Sequence, residues 1–173
     1  MSKASGVAVV AIILALAGVG LGAYTIFFQI PNIDAGKIFG RAELRTDQAI
    51  PNSGTYLITL SSDGIDRKGV GWDANNHYFT ILTSGVYFIS FSITFIPNTA
   101  SQGCRAILRL NAGDHLLQSY AYIDRGDPGT AQSSDMVELN AGDQLRLLGS
   151  IQNDGEISGD SYGSLTFLSI RLI

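Results

Sequence analysis

The chain has 173 residues, of which 15% are charged, and a net charge of −4. Soluble proteins average about 25% charged residues, and no run of Lys or Arg occurs here, which argues against nucleic acid as a partner. The single cysteine, Cys104, has no second thiol to pair with, so an ordinary apolar core must hold the fold, with Cys104 as one of its small buried residues.

Residues 1–5 read as a short tail. Residues 6–28, GVAVVAIILALAGVGLGAYTIFF, predict a transmembrane helix, because the length matches the ~20 residues that cross a bilayer. Their twelve Val, Ile, Leu and Phe side chains favour insertion by roughly 4–7 kcal/mol before the glycines are counted. A cleaved signal peptide is the competing reading: Gly20 and Gly22 form a small-x-small site ahead of Ala23, although the apolar stretch exceeds the usual ~7–15 residues. Ala4, Ala8, Ala11, Ala15, Gly18 and Gly22 recur at heptad spacing and so share one helix face. Small side chains let helices approach closely in lipid, so this stripe predicts that the anchors associate. Residues 29–45, with Pro31 and Gly36, read as a short linker.

From residue 46 to 173 short apolar runs alternate with turn residues, the pattern of a β-sandwich or barrel. The clearest strand is 86–96. Tyr87, Ile89, Phe91, Ile93 and Phe95 point one way, and Ser90, Ser92 and Thr94 the other. Further strands are expected at 56–60, 78–82, 105–110, 116–123, 136–139, 144–151 and 164–172. Turns are expected at Asp63-Gly64, Asn75-Asn76, Ser84-Gly85, Gly126-Asp127-Pro128 and Asp154-Gly155. The last strand is apolar on both faces, so it is expected in the middle of a sheet or under another subunit. Trp72 is expected against the core rather than as an exposed recognition aromatic. The phrase Leu-Asn-Ala-Gly-Asp begins at Leu110 and again at Leu139, predicting two tight turns in which Gly113 and Gly142 take positive φ.

Four stretches together carry a resemblance. They are Phe79-Thr-Ile-Leu-Thr-Ser-Gly-Val-Tyr-Phe-Ile-Ser-Phe91, Ala106-Ile-Leu-Arg-Leu-Asn111, Val137-Glu-Leu-Asn-Ala-Gly-Asp-Gln-Leu145 and Ser164-Leu-Thr-Phe-Leu-Ser169. In order and spacing they resemble the globular head of the complement q-type proteins and, through it, the tumour necrosis factor superfamily, over roughly residues 42–173. The resemblance implies a ten-strand jelly roll that forms a homotrimer and is displayed extracellularly as a binding head. The chain departs from that pattern in lacking a collagen-like stalk and in carrying Ser169 where the family often has Gly. Orientation is contested within the sequence. Lys37, Arg41 and Arg45 outnumber Lys3, which by charge places the head inside, whereas the resemblance places it outside the cell or on a virion exterior.

Residues able to do chemistry are sparse. His77 and His115 stand too far apart in the chain for a His-x-His metal pattern, and no nucleophile elbow, P-loop or dinucleotide fingerprint occurs. Asp124, Asp127 and Asp135 read as turn residues rather than paired catalytic carboxylates. The loop that binds calcium in some relatives corresponds here to Asp154, Glu156 and Asp160. Calcium takes such oxygens, but a solvated Asp/Gly turn is the simpler reading. The expected protein is therefore a non-enzyme without a cofactor, with itself, membrane lipid and an unidentified protein or glycan as partners. A structural surface protein, either a virion membrane spike or a strand-exchanged filament subunit, is the alternative, and a lectin-like module on the same fold is a third.

Overall fold

The computed structural model describes residues 38–62, 67–113, 115–159 and 165–173. The expected anchor over 6–28 and its stripe of Ala8, Ala11, Ala15, Gly18 and Gly22 lie outside these residues, and among the described residues no helix is long and apolar enough to cross a membrane.

Among the described residues the regular structure is all β. The strands are β1 (Phe39–Glu43), β2 (Gln48–Ile50), β3 (Gly54–Leu57), β4 (Val70–Asp73), β5 (Tyr78–Ile81), β6 (Gly85–Pro97), β7 (Gln102–Leu110), β8 (His115–Ile123), β9 (Gly129–Leu139), β10 (Gln144–Ile151), β11 (Gly155–Ile157) and β12 (Phe167–Leu172). They form two antiparallel sheets of six strands each, so the sandwich has two more strands than expected. One long strand organises each sheet. Along one edge β6 pairs with β9, and along the other it pairs first with β12 and then with β11, which carry β1 and β2 in turn. In the second sheet β10 pairs on one side with β7, which carries β8. On its other side it pairs with both β5 and β3, and β4 adds to β5. The last strand is central in its sheet, between β1 and β6, as expected, but only one face is apolar throughout: Leu168, Ile170 and Leu172 are buried, while Phe167, Ser169 and Arg171 face outward.

The length of β6 follows from its sequence: no Gly or Pro interrupts residues 86–96, and β-branched and aromatic residues dominate. Tyr87, Ile89, Phe91, Ile93 and Phe95 are each at most 1% exposed, and face Cys104, Ala106, Leu108, Leu145 and Leu147 of the second sheet within one core. Each such large side chain contributes about 1.5–3 kcal/mol by leaving water. Tyr87 also brings a hydroxyl into the core, where it donates to the Thr83 carbonyl at 2.6 Å, and a buried polar group needs such a partner.

Three expectations are revised. The head begins inside the stretch expected as linker, since β1 occupies 39–43 and pairs with β12 from Phe39↔Arg171 to Glu43↔Phe167. The strand expected at 136–139 starts at Gly129, because β6 offers a ladder long enough to hold the polar residues 130–135 as well. Of the two repeated turns, Gly142 takes a positive φ of 97°, but in the first it is Asn111, at 54°, that does so rather than Gly113. Asn tolerates the left-handed region, and Asn111 is held there by the second copy of the phrase. Its amide donates to Asp143 Oδ1 at 3.0 Å and its Oδ1 accepts from Gln144 N at 2.9 Å. The two copies thus brace one another.

Candidate interaction surface

The outer face of the sheet built on β6 is a lattice that the registers define directly. One row runs Phe39, Arg171, Phe88, Met136 across β1, β12, β6 and β9; the next runs Arg41, Ser169, Ser90, Ser134; the third runs Glu43, Phe167, Ser92, Gln132. The rows differ in chemistry. In the third, Glu43 is nearly buried and takes Arg41 at 2.5 Å and Arg45 at 3.2 Å, while the Arg41 guanidinium lies 4.1 Å from the Phe167 ring centroid. The charges along β1 are therefore matched. Ser92 and Thr94 face outward yet are buried, because the chain at Leu165 and Thr166 lies over them. Both hydroxyls donate to the Leu165 carbonyl, and Thr94 N donates to Thr166 Oγ1 at 3.2 Å.

The first row is uncovered. Phe88 is 44% exposed and Met136 65%, and beside them Val86 and Ile173 are also exposed. Ile173 is held there by its N–H, which donates to the Val86 carbonyl at 3.0 Å. A depression of about 300 Å³ opens among Phe88, Arg171, Leu172 and Ile173, and another of about 340 Å³ among Ser90, Gln132, Ser134 and Phe167. Large apolar side chains clustered on one sheet face mark an interaction surface rather than a solvated one.

The residues considered from the sequence lie elsewhere. Cys104 is buried, and desolvation pushes its thiol up to about 11, so it is neither a nucleophile nor a ready ligand. His77 is half-buried with Nδ1 2.8 Å from the Leu60 carbonyl, and His115 opens β8 on the surface. Asp124 and Asp127 do serve a turn, with Asp127 N donating to the Asp124 carbonyl at 3.2 Å and Asp124 Oδ1 accepting from Ser101 at 2.9 Å, whereas Asp135 sits in β9 opposite Ile89. Trp72 is half-buried with its ring 4.9 Å from that of Phe79, packed on the core as expected.

Of the acidic trio, Asp160 lies outside the described residues, and the other two have separate engagements. The Asp154 carboxylate accepts from the Thr99 hydroxyl. Glu156 meets Asp47 instead. Burial and then the hydrogen bond and charge of Asp47 raise the Glu156 carboxyl above its ordinary value, while Asp47 Oδ1 accepts from Gly159 N at 2.8 Å. Among the described residues no group of three or more His, Cys, Asp or Glu side chains could hold a metal ion. Neither the Asp47–Glu156 contact nor the apolar row was visible beforehand, since both depend on strand registers.

Two six-stranded antiparallel sheets packed face to face on one apolar core define an all-β sandwich of the jelly-roll kind. Neither a protein-family model nor a curated protein sequence matches the chain. Among solved structures, the Eiger TNF of S. frugiperda is similar at a TM-score of 0.60 and 14% identity, covering 79% of this chain and 93% of that one. Murine APRIL at pH 5.0 is similar at 0.57 and 16%, covering 78% and 99%. The likeness is one of fold.

Proposed function

We propose that the chain is a membrane-anchored homotrimer whose heads meet through the face of β1, β12, β6 and β9 and display a non-catalytic recognition surface outside the membrane. The observation that carries this reading is the exposed row of Phe88 and Met136 with Val86 and Ile173 at its end. A heterologous contact, in which this face of one copy meets a different surface of the next, leaves no copy with a bare face when the ring closes; the proposed ring closes at three. The apolar N-terminal segment and its small-residue stripe supply the anchor and a second contact among the same three chains. A tumour necrosis factor-like fold supports the reading, because trimeric display is what resemblance to that superfamily implies.

The magnitude can be set from Phe88. An aromatic side chain carries roughly 200 Å² of surface, and with 44% of Phe88 exposed, covering it removes on the order of 90 Å² from water, about 2 kcal/mol per interface. Mass photometry of the detergent-extracted full chain should give discrete trimers. Phe88→Glu combined with Met136→Glu should weaken the trimer, shifting the population towards smaller species on dilution, with an unchanged far-ultraviolet circular dichroism spectrum. Single copies from the unsubstituted chain, or fibres by electron microscopy, would refute the proposal.

A further inference from the structure

The outer face of the second sheet, away from the face of β1, β12, β6 and β9, carries a cationic row. Across the strands the registers align Asp73, Tyr78, Arg146, Arg109 and His115. Arg146 and Arg109 are thus direct cross-strand neighbours, and like charges in that position repel. Among the described residues no carboxylate pairs with either arginine, and the Nε of each is enclosed without a hydrogen-bond partner. Asp73, at the end of the row, is spent on its own turn, accepting from Asn75 N, Asn76 N and Asn76 Nδ2 at 2.9 Å each, which holds its carboxyl below the ordinary value. Asp143 is likewise occupied by Asn111 and by Asn140 N.

Arg146 leans over the Tyr78 ring at 4.8 Å and reaches Gln144 Oε1 at 3.3 Å. The Arg109 side chain makes no hydrogen bond within the described residues. A third arginine, Arg105, lies two positions away on the same face of β7, its guanidinium 5.9 Å from the exposed Tyr120 ring. An acidic chain with a net charge of −4 therefore presents three arginines on one sheet face, two of them opposed, with enclosed Nε–H donors lacking acceptors. Opposed like charges cost stability, and an anion held by the terminal NH groups of the two guanidinia relieves that cost; the enclosed Nε atoms lie out of its reach.

We propose that Arg109 and Arg146 form a site for a tetrahedral oxyanion, a sulfate or phosphate group, with Arg105 adding long-range attraction. A guanidinium presents a planar fork of donors. One carboxylate satisfies one fork and neutralises one charge. A dianion with oxygens directed to both sides satisfies two forks on neighbouring strands and neutralises both charges. The free ion and an ester carried on a sugar share this chemistry. The site lies on the sheet opposite the face of β1, β12, β6 and β9, and its test reads anion binding rather than assembly.

The test is isothermal titration calorimetry on the full chain in detergent at constant ionic strength, using sodium sulfate, sodium phosphate, glucose 6-sulfate, glucose 6-phosphate and malonate. Saturable binding of one oxyanion per chain is expected, weakened at least about tenfold by Arg109→Gln and by Arg146→Gln. If either variant fails to fold, Arg109→Lys and Arg146→Lys retain the charge but lose the fork, and a comparable weakening is expected of them. Tighter binding of the sugar esters than of the inorganic ions assigns the group to an ester, and equal binding assigns it to the free ion; both support the site. Absence of saturable binding, equal affinity in the variants, or tighter binding of malonate than of sulfate and phosphate would overturn it.

Discussion

Gly40→Ala separates a strand from a linker at residues 39–43 by the sign of its effect. Gly40 is buried in β1, and a Cβ added there would lie 2.7 Å from Val70 Cγ2 and 2.8 Å from Phe79 Cε1. Neither neighbour can give way easily. Val70 is β-branched and stiff at χ1, and Phe79 is fully buried with its ring against Trp72. Overpacking of this kind costs about 1–3 kcal/mol. Against it stands the gain from restricting the unfolded chain, about 0.4–1 kcal/mol for Gly→Ala. The net expectation is destabilisation centred on about 1.3 kcal/mol and reaching about 2.6 kcal/mol, a fall in Tm of roughly 3–5 °C at the centre for a domain of this size. Trp72, the chain's single tryptophan, sits beside the strained contact and reports unfolding in a urea titration followed by fluorescence. In an unpacked linker only the unfolded-state term would operate, and the variant would be slightly more stable. A neutral or stabilising Gly40→Ala would therefore refute the packing of β1 against β4 and β5.

Two further outcomes follow from the titrating groups. Glu156 has its carboxyl raised by burial and by Asp47, so the folded state binds its proton more tightly than the unfolded chain does. The resulting penalty is absent below the ordinary value of 4.5 and grows as pH rises through the folded pKa. Glu156→Gln should flatten that fall in a series of Tm measurements from pH 4 to 7, and an unchanged slope would count against the contact. Cys104, buried and with its thiol pushed up to about 11, should react with a thiol-specific reagent at pH 8 only as fast as the fold opens, and rapidly in denaturing urea. Rapid labelling of the folded chain would place it at the surface instead.

What could be read in the sequence is what depends on local period. The alternation through residues 86–96 announced β6 and its buried face, and the apolar run ending the chain announced a central strand, although Ser169 and Arg171 make its outer face polar. β1 escaped because its inward positions are Gly40 and Ala42, small residues whose space is filled by Val70 and Phe79 from the other sheet, while its outward positions are the charged Arg41 and Glu43. β11 is three residues in an Asp/Gly-rich stretch and exists because β6 extends past β12 to offer it a partner. For the surface, the outward aim of Phe88 follows from its parity with Ser90. That Met136 stands beside it, that Arg146 stands beside Arg109, and that Asp47 meets Glu156 are facts of pairing between distant segments, which composition and spacing do not encode.

The pairing of Phe39 with Arg171 brings the first and last strands of the head side by side. A short flexible peptide could join residue 173 to residue 38, and new ends could be opened at Gly126 and Asp127, an exposed turn. The permuted head would keep every strand pair, and its β1–β12 ladder would become a hairpin. The order in which the chain is threaded is then a matter of synthesis rather than of architecture, and the head can be carried by an attachment at either site.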